Sequence, residues 1–392
     1  MDDDSCDKES DVYKFGQSRF KDMEDMRNTL QAFLEYSEED NYARIVDIDK
    51  GFKYFEFRVV PLNLADLFEE NILSNLSTGI FLSATLSVGN KMDYFKRTLG
   101  INRVDNLEKV IDPIYDYKKR LSLISINDIC SYKNNNFPNE ISEIISDICD
   151  ITQGHTLCLF NSKDRQLKTY DVLGNYLHEK DIEIYNDKKG IKVLKDINKR
   201  CVVLGSKGCF EGVDVPGDGL ICATLDKIPN LNPRDPLYST IMHKYNIPYH
   251  RINYPQLAIK IKQALGRILR SKYDYGCFII FNVGSNNNTL RMLEKDLHGC
   301  KILSLNRSSL YKNIEMHIRK SREEVIKSAI IDISKSIKIL NINDMKKLEN
   351  YINKEIKSRS LNSKVMYMGD FKKTFKIKYF DIKYLINKEK LL

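Results

Sequence analysis

Residues 263–270 read QALGRILR. On a helix Gln263, Arg267 and Arg270 fall at i, i+4 and i+7 and share one face, which Gly266 thins beside them. Two planar guanidiniums on one face suit bidentate capture of phosphate oxygens, and in phosphoryl transfer such groups neutralise charge as it develops. The same spacing also fits a solvated ion-pair face. A second stretch, GSKGCFEGVDVPGDG, sets Gly205, Gly208 and Gly212 beside Glu211 and Asp214. Its glycines let backbone approach a ligand closely, and a tight turn with solvated acids is the plainer alternative. A third, Asn161, Ser162 and Lys163, follows the apolar run HTLCLF. Ser162 can cap a helix there or bind a phosphate oxygen at its N-terminus.

These stretches need a scaffold, and the surrounding pattern supplies one. The runs LSLISI, HTLCLF, RCVVLGS, LICATL and CFIIFN alternate with helical stretches such as SKDRQLKTYDVLGNYL and PQLAIKIKQALGRILR. That alternation predicts βαβ units around a buried parallel sheet, with ligands at the carboxyl ends of its strands. Ile261, Leu265, Ile268 and Leu269 are then expected to pack on the sheet. Upstream, RVVPLNLADLFEENILSN predicts a short helix leading into GIFLSATLS, an apolar run of strand length. Downstream, Ile326, Ile330, Ile333, Ile337 and Leu340, then Met345, Leu348, Ile352 and Ile356, predict two amphipathic helices.

Composition narrows the function classes. The chain has 392 residues, 42% of them hydrophobic and 30% charged, which fits two or three globular domains. It holds no stretch of about eighteen apolar residues and opens on the acidic MDDDSCDKES, so a cytoplasmic protein with no membrane partner is expected. Nine cysteines fall into no C-x-x-C pair, leaving disulfides, zinc and iron–sulfur clusters unsupported and no metal site in view. Net charge is +8, but residues 311–392 carry twenty Lys/Arg against ten Asp/Glu, leaving 42 against 44 elsewhere. A basic tail can attract polyanions, although a lysine-rich helix is more often a solvated face.

Taken in order, SAT at 83–85, LFNS at 159–162, GSKGCFEGVDVPG at 205–217 and QALGRILR at 263–270 resemble motifs III to VI of superfamily 2 helicases. Over roughly residues 55–305 the chain resembles the DinG/XPD group of ATP-dependent DNA helicases. The resemblance implies an α/β fold, a RecA-like parallel sheet flanked by helices, with a helical C-terminal tail. It also implies roles. Ser83, Ala84 and Thr85 would couple ATP hydrolysis to strand movement, and Phe160, Ser162 and Ser206 would line a track for single-stranded DNA or other nucleic acid. Glu211, Gly212, Asp214 and Gly266 would contact ATP, which binds with Mg²⁺. Gln263, Arg267 and Arg270 would face its γ-phosphate, the arginines as fingers. Cys209 and Phe210 replace the aromatic pair usual before EGVD, and Ile228, Pro229 and Asn230 replace an apolar LPF.

None of the eighteen glycines is followed by lysine, so the G-x-x-x-x-G-K-[ST] loop is not in this sequence, nor is a DEAH-like pair. The expected organisation is an acidic segment at 1–60, the end of an arch-like insertion; a remnant of the first RecA-like domain with the SAT strand at 61–111; the second RecA-like domain at 112–310; and a basic helical tail at 311–392. The phosphate-binding lysine and metal ligands are expected on an N-terminal helicase half, a separate polypeptide or one lost by gene splitting. The alternative is a non-catalytic nucleic-acid-binding or regulatory remnant. Without that half, GIFLSAT would be a strand with unpaired ladder groups.

Overall fold

The computed structural model describes residues 11–35, 41–48, 51, 53–113, 116–196, 198–206, 209–210, 215, 219–270, 274–281 and 287–336, with backbone alone at 287 and 326–336. Glu211, Gly212, Asp214 and the apolar stripes beyond 336 lie outside the described residues. The chain divides into two units, residues 1–109 with 230–255, and residues 110–229 with 256–392. The span 112–310 expected as one domain is thus interrupted by 230–255.

The first unit opens on helix α1, Asp11–Glu35, followed by strands β1, Tyr42–Ile48, and β2, Phe55–Pro61, paired antiparallel from Tyr42↔Pro61 to Ile48↔Phe55. Helix α2, Leu64–Asn71, starts where the Asn63 side chain accepts from Ala65 N, and α3 spans Asp93–Thr98. The predicted strand GIFLSAT is not formed. Residues 78–83 have no regular secondary structure and no ladder pairing, and Ile80 and Leu82 stand 81% and 88% exposed. A strand of this composition is stable only between neighbours that pair its backbone and cover both faces. The described residues of the first unit offer only β1 and β2, already paired to each other.

The second unit is built on seven parallel strands. Helix α4, Tyr117–Arg120, leads into β3, Leu121–Ile126. Then follow α5, Phe137–Thr152; β4, Thr156–Leu159; α6, Lys163–His178; β5, Glu183–Tyr185; α7, Lys189–Leu194; β6, Cys201–Gly205; and β7, Cys222–Leu225. Helix α8, Pro236–Lys244, groups with the first unit. The chain continues through α9, Tyr249–Leu265; β8, Gly276–Ile280; α10, Asn287–Asp296; β9, Ile302–Leu305; and α11, Arg307–Ser336.

Sheet order is β5-β6-β4-β7-β8-β3-β9, every pair parallel. All five apolar runs read from the sequence are strands, and β3, β4, β6, β7 and β8 are buried along their whole length. The edge strands β5 and β9 are short and partly exposed. On α5, Ile141, Ile144, Ile145 and Ile148 are all 0% exposed, a helical stripe laid on the sheet. Helix α11 begins inside this unit: Leu310, Ile314, Ile318 and Val325 belong to the same core. Its first turns are therefore domain packing, not a separate tail.

Candidate functional site

The β4 strand ends at Leu159, and the chain turns through Phe160, Asn161 and Ser162 into α6. Phe160 is in the core, 1% exposed, with its amide donating to Gly205 O at 2.8 Å. Its ring therefore fills the interior and is not presented at the surface. Ser162 is the N-cap of α6, its hydroxyl accepting from Arg165 N at 3.4 Å. The capping alternative is the one its contacts display. Ser206 lies at the end of β6, half-buried, with its carbonyl accepting from Cys209 N at 2.7 Å.

The organiser of this edge is Asp226, 1% exposed and placed just after β7. One carboxylate oxygen accepts from Asn161 N at 3.0 Å, Asn161 Nδ2 at 2.8 Å and Lys227 N at 2.8 Å. The other takes Arg165 as a fork, Nε at 2.8 Å and a terminal nitrogen at 2.7 Å. A carboxylate so supplied locks the ends of β4 and β7 to α6. Over this lock lies the Tyr132 ring, with Arg165 5.5 Å and Lys227 4.3 Å from its centroid. The result is a half-exposed aromatic face flanked by two cations, the pair of features that bind bases and phosphates of a single strand. Sequence reading missed Asp226, Arg165, Lys227 and Tyr132. The signal for Asp226 was available: an acid directly after a buried strand, in LICATLD, sits where parallel sheets place ligands.

The arginine motif occupies the opposite edge. Helix α9 antiparallels the strands and ends at Leu265, where α-helical bonding tightens: Arg267 N donates to Ala264 O at 3.1 Å and Ile268 N to Leu265 O at 2.9 Å. The single continuous helix expected through Arg270 is thus replaced by a helix end and a turn, because Gly266 is a weak helix former and Asp274 draws the chain round by accepting from Arg270 N at 2.8 Å. Gln263 sits in the last helical turn, and Arg267 lies one turn on, its Nε donating to Gln263 O at 3.0 Å. Arg270 follows the turn. All three are half-buried with Gly266, whereas Ile261, Leu265, Ile268 and Leu269 are at most 2% exposed and pin the motif to the sheet.

Gly276 fixes the fit. A Cβ there would lie 2.4 Å from Ile221 O and 2.7 Å from Ile268 Cγ2, so only glycine lets β8 start beside β7 with the arginine turn against it. Ser83, Ala84 and Thr85 belong to the first unit and form a local turn, Thr85 N donating to Ser83 Oγ at 3.2 Å. Among the described residues no group of three or more His, Cys, Asp or Glu side chains could hold a metal ion, and no helix is long and apolar enough to cross a membrane.

Seven parallel strands with helices on both faces, a capped strand-to-helix turn at one edge and a glycine–arginine turn at the other, are the build of a RecA-like helicase domain. Residues 145–297 match the helicase C-terminal domain family, and the chain is a distant homologue of the DinG/XPD-like helicases. It is 26% identical over 291 residues to the probable ATP-dependent helicase YpvA of Bacillus subtilis, covering 74% of this chain and 44% of that protein. It is 28% identical over 236 residues to the ATP-dependent DNA helicase YoaA of Haemophilus influenzae, covering 58% of this chain and 36% of that one. Among solved structures, S. tokodaii Xpd4 matches with a TM-score of 0.43 at 14% identity, covering 71% of this chain and 64% of that one. The chain thus spans less than half the length of these two curated relatives.

Proposed function

We propose that this chain is the C-terminal part of an ATP-dependent DNA helicase, gripping single-stranded DNA at one sheet edge and the γ-phosphate of ATP at the other. The observation that carries this reading is the arginine turn: two half-buried arginines on a buried apolar anchor, inside the stretch that matches the helicase C-terminal domain.

The donor set here is two guanidiniums and an amide, which suits phosphate oxygens and not a divalent cation. ATP·Mg²⁺ would therefore be held mainly by an N-terminal helicase part carrying the P-loop and the metal-binding acids, which would polarise the β- and γ-phosphates. Toward that wall Arg267 and Arg270 supply charge neutralisation as the γ-phosphoryl group transfers to water, and Gln263 orients at the same phosphate. At the other edge Tyr132 and Lys227 hold the DNA strand, with Arg165 locked onto Asp226 beneath them and Ser162 and Ser206 beside them. Glu211, Gly212 and Asp214, read as the junction of nucleotide and DNA, would carry the signal between the two.

The exposed GIFLSAT segment supports the need for an N-terminal part. It has the composition of a strand buried on both faces and remains unladdered, as expected of a piece belonging to a sheet whose other strands are elsewhere. The decisive measurement is ATP hydrolysis. The chain alone should show none, hydrolysis should appear on addition of a P-loop-bearing N-terminal helicase part, and Arg267→Ala should remove it. Hydrolysis that survives that substitution sinks the finger role. DNA binding without hydrolysis in any mixture would favour the non-catalytic reading.

A further inference from the structure

A cavity of about 480 Å³ opens where β9 meets the sheet. Its origin is a register offset: β9 begins with Ile302 opposite Leu123, so Leu121 and Ser122 of β3 run past the end of their neighbour. The notch so left is bounded by α4 just before β3, by the turn His298–Lys301 before β9, and by α11 crossing behind.

The walls of the notch differ in chemistry. Lys118, Lys301 and Lys320 come from three separate elements and converge on it, and no acidic residue lines it. The two acids near Cys300 are each engaged, Asp116 capping α4 through Lys118 N at 3.0 Å and pairing with Lys119 at 3.6 Å, and Glu294 accepting from Ile302 N at 2.9 Å. Burial pushes the Cys300 thiol up to about 11, so it adds no negative charge. The position of Lys118 is built into the backbone. Gly299 has φ +74°, and a Cβ there would lie 3.3 Å from Lys118 Nζ, so the turn is shaped by a residue that leaves room for the ammonium. On the face of Ser122 the notch is bordered by the apolar Leu303 of β9 and Met316 of α11, while Ser122 Oγ donates to Asn313 Oδ1 at 3.1 Å and leaves the Asn313 amide nitrogen as a donor.

Three ammonium groups without a carboxylate call for an anion carrying more than one negative charge, which is phosphate chemistry and not a lone carboxylate. An apolar wall beside them calls for an organic body, and the volume falls within the roughly 300–1,000 Å³ of small-molecule sites. We propose that this notch binds a small organic phosphate of mononucleotide size, its phosphate held by Lys118, Lys301 and Lys320 and its body lying on Leu303 and Met316. The proposal does not depend on the helicase reading, since neither Arg267 nor Arg270 lines the notch.

Calorimetric titration of the purified full chain with AMP and, separately, with pyrophosphate tests it. AMP should bind saturably with a dissociation constant below ~1 mM, and the double substitution Lys301→Gln with Lys320→Gln should weaken it at least ~10-fold. Met316→Glu should weaken it too, with an unchanged melting temperature, whereas Lys312→Gln on the exposed face of α11 and Arg267→Ala should leave it unaltered. Pyrophosphate binding as tightly as AMP overturns the organic-body half and leaves an inorganic anion as the ligand. No saturation by either probe up to about 10 mM, or binding lost with Arg267→Ala and kept in the lysine double variant, overturns the site as a whole.

Discussion

The two edges of the seven-stranded sheet hold their charged groups in different ways. At the carboxyl edge Arg165 is spent on structure: its guanidinium is forked onto Asp226, whose own side chain is 0% exposed, and what the edge shows to solvent is the Tyr132 ring with Lys227 over it. At the amino edge the anchor is apolar, Ile261, Leu265, Ile268 and Leu269, and Arg267 and Arg270 lie half-buried on it, the Arg270 Nε wholly inside. A charge used to lock strands together is buried with its counter-ion; a charge used on a ligand is held by its backbone and left reachable. Substitutions at the two edges should therefore fail in opposite ways.

The largest effect is expected at the amino edge. In the assembly with a P-loop-bearing part, Arg267→Ala should lower the rate of ATP hydrolysis by ~10³-fold or more, the scale of an arginine finger. Stability of the chain should move by no more than about 0.5 kcal/mol in denaturant titration, because the apolar anchor is untouched. A comparable rate with a large stability loss would reverse the assignment of that edge.

Asp226→Ala should do the opposite. It leaves Arg165 buried with no counter-ion and strips Asn161 and two backbone amides of their acceptor, at a cost of about 3–5 kcal/mol in unfolding free energy. A loss under about 1 kcal/mol would mean that water replaces the carboxylate and that this edge is no lock. Next in size is Gly276→Ala. Its new methyl would meet Ile221 O and Ile268 Cγ2 at under 3 Å, so a destabilisation of about 1–3 kcal/mol is expected, together with displacement of the arginine turn. The same assembly's hydrolysis rate would report the displacement.

What could be read from the sequence follows from this difference in physics. The five central strands were legible because a strand buried on both faces is apolar without interruption, as LSLISI and CFIIFN are. The edge strands β5 and β9 were not, since EIY and ILSL are short and half-exposed and carry no such signature. The arginine turn was legible as residue types at a spacing, but its geometry was not: the i, i+4, i+7 face presumes a helix through Arg270, and one backbone bond to Asp274, set by tertiary position, ends it. GIFLSAT read as a strand because composition reports what a segment needs and not whether its neighbours are present. Asp226 escaped because four of its five hydrogen bonds come from residues brought together by the sheet, Asn161 and Arg165 being more than sixty positions away.

Lys227→Gln bears on the solvent side of the carboxyl edge. The change removes one cation from the Tyr132 face while Lys227 N can still donate to Asp226. Affinity for a single-stranded oligonucleotide should fall, and the slope of log affinity against log salt should shrink by roughly one unit at most. An unchanged slope would remove Lys227 from the strand contact and leave the edge purely structural.

The smallest effect is a pH response confined to the amino edge. His298 and His317 both sit there, and burial holds each below the ordinary histidine value, with Lys262 adding to the shift at His298 and Lys320 at His317. Hydrogen bonds to the Arg120 and Gly276 backbone and then Glu324 oppose it at His317, and Asp112 and Asp296 at His298, without reversing it. A group whose folded-state value is lowered binds its proton more readily when the chain unfolds, so the neutral form stabilises the fold above about 6.5 and that contribution is lost as pH falls through the window below it. Unfolding free energy should therefore drop between pH 7 and pH 5. In His317→Gln the drop should be shallower, because the glutamine keeps a polar group near Arg120 O and Ser321 Oγ yet takes up no proton. An equal slope in the variant would assign the response to His298 alone. No dependence in either protein would mean that water reaches both rings, and that the amino edge is as open at its histidines as at its arginines.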